Sequence, residues 1–458
     1  MTNYELARTG EMNRPRRRPI PATLAWLACL LTTPLLAQQT AQYRFIEEIR
    51  EVPEAGDGSW VVGGVRLQTN PQTVFDFEDR PAPGTLAEVV LQRTDNGLTA
   101  SLIRPLPVEA SAVHDGPYVI WKDGQTAEVI ELVNGIPDSR TIENITEPRL
   151  VASTSGPDWQ IHLDPQPPQP EAAVWPMPQR LMAISDLEGN LDQTLEFLRN
   201  NGVVDADGHW AWGEGHLVLI GDLVDRGDQV TGLMWLVYRL AREAGQAGGQ
   251  VHYVLGNHEA MVMGGDLRYI HWKYRFVTGR LGRSYDQLFN ENSVIGRWWR
   301  TRNGLVIIGN LMFVHAGYSP RLDEAGLDVD TLNQRIRAGL APARPEGLTA
   351  DTNPVRNIHG PFWYRGYFDK HAAEWGGKAT DDEVGRILQR HHVDHVVIGH
   401  TLVDEVGPLD ETGQVIAIDV DWKDPQAGQG LLVEDGRMWR VDMQGRREAL
   451  FPAGDDRP

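Results

Sequence analysis

The sequence predicts an α/β protein with two domains, a smaller β-rich domain followed by a larger domain of mixed β-sheets flanked by helices. Residues 41–163 alternate short β-prone runs with turn residues, whereas strand-like and helix-like runs alternate after residue 179. Six prolines among residues 164–178 separate the two patterns and predict a stiff linker. A chain of 458 residues also exceeds the usual size of one domain. The predicted division is a signal peptide at 1–37, a β-rich domain at 38–163, a linker at 164–178, an α/β domain at 179–445 and a tail at 446–458.

The first 37 residues have the pattern of a secretory signal peptide. Arginines are followed by an apolar stretch from Ile20 to Ala37, and Ala37 offers a small residue at the cleavage position. An uncleaved membrane anchor is the alternative, since an apolar stretch of this length barely crosses a bilayer. Pro21 and Pro34 favour cleavage. We therefore expect a periplasmic or secreted protein without a stable membrane anchor.

Composition and charge exclude several classes of function. The chain is 41% hydrophobic and 23% charged, which is typical of a globular rather than a disordered protein. Its formal net charge of −20 repels polyanions, so we expect no nucleic-acid partner. Cys29 is the only cysteine and would leave with the signal peptide. That loss excludes disulfides and cysteine nucleophiles from the mature chain.

The second domain contains apolar runs of strand length separated by runs of helical spacing. Helices are predicted over residues 191–202 and 229–245, and a hairpin turn at Gly309-Asn310. The predicted strand runs are LMAIS at 181–185, HLVLIG at 216–221, VHYVLG at 251–256, LVIIGNLMFVH at 305–315, VDHVVIG at 393–399 and QVIAIDV at 414–420.

Residue types that bind cations stand where five of these runs end. The five clusters are DLEGN at 186–190, GDLVDRG at 221–227, GNHE at 256–259, HAG at 315–317 and GHT at 399–401. In layered α/β folds the carboxyl ends of neighbouring strands open onto one crevice, so we expect the clusters to converge.

Each cluster alone has an ordinary structural explanation. GDLVDRG is typical of a turn with a solvated ion pair, GNHE of a helix N-cap, and a histidine with apolar neighbours of a core residue. Five such clusters in order, each at a strand end, would require five coincidences. The combination favours one catalytic site.

Together these motifs resemble those of the calcineurin-like metallophosphoesterases. The longer strings GNHEAMVMGGDLRYI (256–270), FVHAGYSP (313–320) and GPFWYRGYF (360–368) are similar to the Shewanella-like phosphoprotein phosphatases. The resemblance covers roughly residues 178–440 and leaves the N-terminal β-rich domain outside. It implies a sandwich of mixed sheets with helices outside.

The resemblance also implies two divalent metal ions, which would hold the phosphate and supply a hydroxide nucleophile. It implies that the first metal is bound by Asp186, Glu188 and Asp222, and that Asp222 bridges to a second metal bound by Asn257, His315 and His400. This mixture of carboxylate, amide and imidazole without thiolate suits Mn²⁺, Fe or Zn²⁺ more than Ca²⁺, and we expect Mn²⁺.

Four further residues receive roles from the same resemblance. His258 would protonate the leaving group, and Asp225 would hold its tautomer and raise its pKa; a helix cap is the alternative for His258. Arg226 and Arg365 would bind phosphoryl oxygens, since guanidinium matches phosphate in a bidentate fork. A packed rim is the alternative for Arg365.

Glu188 departs from the family, which has histidine at this position. Glutamate is still an anionic oxygen ligand, so the first metal position would prefer harder cations. The alternative is that Glu188 points away and interacts with the start of the following helix. Ala316 replaces a glycine of the family, a small change with little chemical weight.

The sequence therefore predicts a phosphatase that hydrolyses phosphate monoesters in one in-line step without a phosphoenzyme. Its expected substrates are phosphoproteins or phosphotyrosine-like compounds. Two alternatives remain open. One is a nucleotide or dinucleoside-polyphosphate hydrolase, because diadenosine tetraphosphatases share these motifs. The other is a binding protein in which Glu188 marks a decayed site, and the retained ligand set argues against it.

Overall fold

The computed structural model describes residues 42–53, 58–77, 81–94, 97–153, 160–340 and 352–451. The predicted signal peptide lies outside these residues, as does the end of the predicted tail. The chain divides into two compact units, Met1–Pro107 and Val108–Pro458. Within the described ranges, no helix combines the length and the apolar character needed to cross a bilayer.

The first unit is a curled, mostly antiparallel sheet in the order β3-β2-β1-β5-β6-β4, in which β3 also pairs with β6. In β3, Val65 and Leu67 are buried while Arg66 and Gln68 are exposed, the period of two that a one-sided strand requires. Leu67 packs with Trp60 in the unit's core. The strands are β1 Gln42–Glu51, β2 Ser59–Val62, β3 Val65–Gln68, β4 Val74–Phe75, β5 Thr85–Thr94 and β6 Gly97–Glu109.

The second unit contains the remaining strands and the helices. Its strands are β7 Asp115–Trp121, β8 Ala127–Val133, β9 Ile136–Ile142, β10 Arg149–Ala152, β11 Gln160–Leu163, β12 Val174–Trp175, β13 Arg180–Ile184, β14 His216–Ile220, β15 Gln250–Val254, β16 Leu305–Ile308, β17 Leu311–Val314, β18 His395–Ile398, β19 Gly407–Pro408, β20 Val415–Ala417, β21 Gln429–Glu434, β22 Arg437–Asp442 and β23 Arg447–Ala449. Its helices are α1 Leu191–Asn200, α2 Val230–Gln246, α3 Asn257–Met263, α4 Trp272–Leu281, α5 Tyr285–Leu288, α6 Val294–Trp299, α7 Pro320–Asp323, α8 Val329–Gly339 and α9 Asp381–His391.

Two six-stranded mixed sheets carry the predicted site. One has the order β15-β14-β13-β21-β22-β23, the other β12-β16-β17-β18-β20-β19. Strands β13, β14 and β15 are parallel to one another, as are β17, β18 and β20. Every residue of β14, β17 and β18 is buried, which explains why these strands are continuous apolar runs in the sequence. The predicted α/β fold of mixed sheets with helices is confirmed.

The predicted hairpin and helices occur close to their expected places. Strands β16 and β17 turn at Gly309-Asn310, where Gly309 has a φ of 59° that glycine adopts without strain. Helices α1 and α2 begin and end within two residues of the predicted ranges. Helix boundaries of this accuracy follow from the apolar spacing and the glycine stops.

The three-stranded sheet β7-β8-β9 belongs to the second unit, although the sequence analysis grouped it with the N-terminal strands. Trp235 of α2 donates its indole N–H to the carbonyl of Pro117 at 2.8 Å, and β7 also contacts α6. The Pro-rich segment is attached to the same unit, because β12 pairs with β16 and Glu171 forms an ion pair with the buried Arg302. Alternation identifies a strand but not the core that the strand faces.

Candidate active site

Six parallel strands end in polar residues that meet in the second unit. Asp186 follows β13, Asp222 follows β14 and Asn257 follows β15 in one sheet, while His315 follows β17, His400 follows β18 and Asp419 follows β20 in the other. Five of these six ends were predicted. The site is therefore assembled by the carboxyl ends of both sheets.

One cluster is centred on the imidazole of His315. Its Nε2 lies 2.9 Å from Oδ1 of Asn257, 3.2 Å from Nδ1 of His400 and 3.2 Å from Oδ2 of Asp222. Ligand atoms of Asp222, His315 and His400 lie within 4.8 Å of one another, and all three residues are buried. These are the residues that the resemblance assigned to the second metal.

The donor set of this cluster fits a divalent cation. Nδ1 of His315 lies 2.8 Å from the carbonyl of Ile220, so Nδ1–H donates there, and Nε2 presents a lone pair to the cluster once it has lost its own proton. Burial would lower the pKa of His315, but the Asp222 carboxylate outweighs it and raises the pKa to about 9. The position beside Asp222 therefore favours a positive charge.

His400 has the opposite tendency. Burial, together with the charges of His315 and Arg365, holds the pKa of His400 well below its ordinary value. A neutral imidazole is the form that binds a metal ion. Its backbone N–H donates to Oδ2 of Asp186 at 2.9 Å, which ties the two strand ends together.

A second concentration of acceptors lies around Asp186. Burial and the neighbouring Asp419 raise the pKa of Asp186 well above its ordinary value. Burial and Asp222 likewise raise the pKa of Asp419 to about 7. Buried carboxylates that disfavour one another's charge are the environment that a bound cation relieves. Sequence reasoning missed Asp419, although it is the one ligand-type residue near the end of the predicted strand run QVIAIDV.

The Glu188 carboxylate faces a cavity of about 320 Å³ that Asp186, Asp222 and Asp419 also line. It forms ion pairs with the guanidinium of Arg226 and, at 3.4 Å, with Nζ of Lys423. The N-cap of α1 is Asn190, so the Glu188 side chain does not occupy that position. The structure thus brings Glu188 to the site, beside the cations of the cavity and outside the His315 cluster.

His258 is fixed on its Nδ1 side by Asp225. The Nδ1 to Oδ2 distance is 2.7 Å, while Nε2 of His258 lies 3.7 Å from Oδ2 of Asp222. Burial would lower the pKa of His258, but the charge of Asp222 and the hydrogen bond that Nδ1–H donates to Asp225 raise it to about 9. The N-cap of α3 is Gly256, so the His258 side chain does not form the cap. An imidazolium at neutral pH suits a proton donor.

Three arginine or lysine side chains line the same cavity as His258. They are Arg226, Arg365 and Lys423, of which the first two were predicted. Arg226 lies over the ring of Tyr269 at 5.6 Å, and its backbone N–H donates to the Tyr269 carbonyl at 2.9 Å. Cations at the mouth of an acidic site provide the charge that a phosphate ester requires.

The backbone of the site is strained at six non-glycine residues with positive φ. These are Asp186 (53°), Glu188 (44°), Asp222 (52°), Asp225 (72°), Arg226 (56°) and His400 (64°). Each such conformation costs about 1–3 kcal/mol and persists only where the surroundings hold it.

Glu259 provides part of that support. Its buried carboxylate accepts the backbone N–H groups of Gly256 at 2.7 Å, Asp222 at 3.0 Å and Leu223 at 2.8 Å. It thereby holds the β14 end against the start of α3. The GNHE motif contained this residue, but its pattern favoured only a helix start.

Comparison with known proteins agrees with this geometry. Residues 179–404 match the family described as calcineurin-like phosphoesterase. The crystal structure of a cold-active protein-tyrosine phosphatase from a psychrophilic Shewanella species is 34% identical to this chain, covers 74% of it and 99% of its own length, and superposes with a TM-score of 0.67. The chain belongs to the calcineurin-like phosphoesterase family.

Two curated relatives of this calcineurin-like phosphoesterase carry related names. Shewanella-like protein phosphatase 2 of Arabidopsis thaliana is 39% identical over 93 residues, which are 20% of this chain and 24% of that protein. Shewanella-like protein phosphatase 1 of Plasmodium berghei is 20% identical over 234 residues, 48% of this chain and 61% of that protein. The chain thus spans about a quarter and about three fifths of these relatives. The predicted resemblance is confirmed: the chain is a phosphoesterase of this family, and the family implies the use of divalent metal ions.

Proposed function

We propose that the protein hydrolyses phosphate monoesters of phosphoproteins or phosphotyrosine-like compounds. The observation that carries the proposal is the buried His258–Asp225 pair beside a cavity lined by Arg226, Arg365 and Lys423. A proton donor and anion-binding groups in one cavity are what cleavage of a phosphate ester requires. Divalent metal ions, when bound, supply Lewis acidity toward the phosphoryl group.

The residues that would hold these ions divide into two sets. We propose Asp186, Glu188 and Asp222 for the first position, and Asp222, Asn257, His315 and His400 for the second. The second set is supported by the acceptors that converge on Nε2 of His315. The first set is richer in carboxylate, which supports Mn²⁺ over softer ions.

The chain's own groups would bind the ester and complete its cleavage. Arg226 and Arg365 would hold phosphoryl oxygens, with Lys423 as a third cation near the mouth of the cavity. As the oxygen of a water molecule bonds to phosphorus and the bond from phosphorus to the leaving oxygen breaks, the leaving oxygen would take the proton from Nε2 of His258. Asp225 keeps the imidazolium in place through its 2.7 Å contact with Nδ1.

The substrate class is supported by the Shewanella structure, whose title names a protein-tyrosine phosphatase. Aromatic rings of Tyr269 and Trp363 stand near the site, within 5.2 Å of the His258 ring and 6.2 Å of the His400 ring respectively. Rings in these places would accommodate an aryl phosphate.

A substrate panel tests the proposal. The full mature chain loaded with Mn²⁺ is assayed with p-nitrophenyl phosphate, phosphotyrosine and phosphoserine peptides, ATP and diadenosine tetraphosphate. We expect the highest kcat/KM with a phosphopeptide, and chelation should abolish turnover. Higher kcat/KM with diadenosine tetraphosphate or ATP would instead support the nucleotide hydrolase, and no metal-dependent turnover at all would contradict both.

We also propose that the protein is exported and processed near Gln38, on the evidence of the basic and apolar start of the chain. Intact mass and N-terminal sequencing of protein from the periplasm test this. A full-length chain that begins at Met1 and requires detergent for extraction would refute cleavage.

A further inference from the structure

The loop from Asp225 to Asp228 contains two strained residues of the site. Asp225 and Arg226 both have positive φ, at 72° and 56°. Residues with side chains adopt this region only where neighbouring groups hold them. Two backbone hydrogen bonds hold these residues. The N–H of Arg226 donates to the carbonyl of Tyr269, and the N–H of Gly227 donates to the carbonyl of Glu188, each at 2.9 Å.

The far end of the loop is held by side chains of α4. Nζ of Lys273 donates to the carbonyl of Asp228 at 2.8 Å, and the hydroxyl of Tyr274 donates to the same carbonyl at 3.0 Å. A lysine side chain is long and flexible, so it contributes to loop geometry only if its ammonium group is itself fixed.

Asp115 of β7 fixes that ammonium group. Its Oδ1 lies 2.9 Å from Nζ of Lys273, and its side chain is only 3% exposed. Its Oδ2 accepts the hydroxyl of Tyr118 and, at 3.2 Å, the hydroxyl of Thr231. Thr231 lies in the first turn of α2, directly after the loop. One buried carboxylate thus contacts both the lysine that binds the end of the loop and the helix that follows the loop.

This arrangement links the sheet β7-β8-β9 to the active site. We infer that Asp115 positions the loop Asp225–Asp228 through Lys273 and Thr231, and so sets the placement of Asp225 and Arg226 in the active site. The inference rests on the roles proposed above for these two residues. A buried and fully paired carboxylate suits this role because moving it would leave buried charges without partners and without water.

The chain offers a matched control for this ion pair. Glu128 of the same sheet pairs with Arg283, at the start of the segment between α4 and α5, at a distance of 2.8 Å. Among the described contacts, that pair does not reach residues 225–228. Breaking it removes an ion pair between the same sheet and the helices while the loop keeps its own bonds.

The experiment compares the metal-loaded full chain with its Asp115→Asn, Lys273→Met and Glu128→Gln variants on p-nitrophenyl phosphate. Misplacement of the loop is expected to lower kcat about 10-fold to 100-fold in the first two variants, with metal content unchanged. Glu128→Gln should stay within about twofold of the parent, since it alters no contact of the loop.

A double-mutant cycle separates positioning from general stability. In an Arg226→Ala background, Asp115→Asn is expected to cost clearly less than in the parent, because the part of its effect that acts through Arg226 is already lost. Additive losses, or an equal loss in Glu128→Gln, would overturn the inference. If wild type is inactive or Arg226→Ala has no effect, the proposed function fails instead.

Two milder variants keep the test decisive if Asp115→Asn does not fold. Thr231→Val removes one hydrogen bond to Asp115 and keeps the ion pair, whereas Lys273→Arg keeps the charge. We expect a partial loss of kcat with a KM near normal in Thr231→Val, and more activity in Lys273→Arg than in Lys273→Met. Full activity in both Thr231→Val and Lys273→Met would overturn the inference.

Discussion

Nδ1 of His258 lies 2.7 Å from Oδ2 of Asp225, and both side chains are buried. The other oxygen of Asp225, Oδ1, is buried without a hydrogen-bond partner among the described residues. The negative charge of Asp225 is therefore balanced chiefly by His258. Together with the charge of Asp222, which has the larger effect, this relationship raises the pKa of His258 to about 9 although burial opposes it.

Removal of the proton donor should affect poor leaving groups most. His258→Asn is expected to slow hydrolysis of an alkyl phosphate by roughly 10²–10⁴-fold. The loss should be smaller with p-nitrophenyl phosphate, whose leaving group hardly needs a proton. Steady-state kcat on the two substrates measures the difference, and equal losses would mean that His258 acts through the metals or the fold.

Removal of the Asp225 charge should change the pH profile. With the pKa of His258 raised to about 9, its proton is present at neutral pH and is lost as the pH rises through that value. Asp225→Asn removes one cause of the shift, so the pKa of His258 falls. The alkaline limb of kcat for an alkyl phosphate should then move to lower pH. An unmoved limb would assign it to another group.

Glu188 is the sharpest test of the first metal position. Glu188→Ala is expected to lose about one metal ion per chain and nearly all turnover, because it removes a carboxylate that lines the same cavity as Asp186 and Asp222. Glu188→His should retain activity and shift the metal preference toward softer ions. Elemental analysis with turnover measures both.

Lys423→Ala is the control for Glu188. It removes a neighbour that lies 3.4 Å from the Glu188 carboxylate without removing any proposed ligand. Its metal content should equal that of wild type. If Glu188→Ala also keeps both metals and near-normal turnover, Glu188 serves only as a partner of Arg226 and Lys423.

Glu259 should contribute to stability more than its position in a helix suggests. In Glu259→Gln, the amide NH₂ must face at least one of the N–H groups of Gly256, Asp222 and Leu223 that the carboxylate now accepts. A buried donor left unpaired costs about 1–3 kcal/mol in the free energy of unfolding. Urea unfolding measures the cost.

The same substitution at a surface cap provides the comparison for Glu259. Glu383 accepts the N–H of Thr380 in a solvent-facing capping box of α9. Because water replaces the lost acceptor there, Glu383→Gln should cost less than Glu259→Gln. Equal costs would show that the three contacts of Glu259 add nothing beyond ordinary capping.

His252 should make the protein less stable in mild acid. Burial lowers the pKa of His252 from 6.5 to about 3, so the folded chain keeps it neutral while the unfolded chain binds a proton below pH 6.5. The contribution of His252 to the free energy of unfolding is constant above pH 6.5. It falls by about 1.4 kcal/mol per pH unit between about pH 6 and pH 3. Urea unfolding of the metal-free wild type and of His252→Gln at several pH values isolates the contribution of His252. Parallel curves would contradict the assignment.

Much of the site follows from the sequence because buried parallel strands form continuous apolar runs. Strand β14 is entirely buried and ends at Gly221-Asp222, so both the strand and the ligand-type residue after it are visible in the sequence. The same rule applied to β20 would have identified Asp419. Asp419 lies outside the five motifs, although its carboxylate follows a buried parallel strand as theirs do.

Other features depend on long-range contacts that no local pattern contains. Asp115 lies in a strand whose alternation predicts only a sheet, and its contact with Lys273 joins residues far apart in the chain. The attachment of β7-β8-β9 to the helices of the second unit has the same origin. Positive φ at Asp225 and Arg226 is likewise imposed by the surroundings and opposes the intrinsic preference of these residues.

The residues proposed to bind the second metal ion come from both six-stranded sheets of the second unit, Asp222 from one and His315 and His400 from the other. A cation shared by these residues is therefore a cross-link between the sheets, in a chain whose only cysteine is Cys29. Its binding energy adds to the folding energy, by about 2.7 kcal/mol when the free ion is at a hundred times its Kd. The supply of metal ions in the protein's surroundings then determines how much folded protein persists, as well as how fast it works.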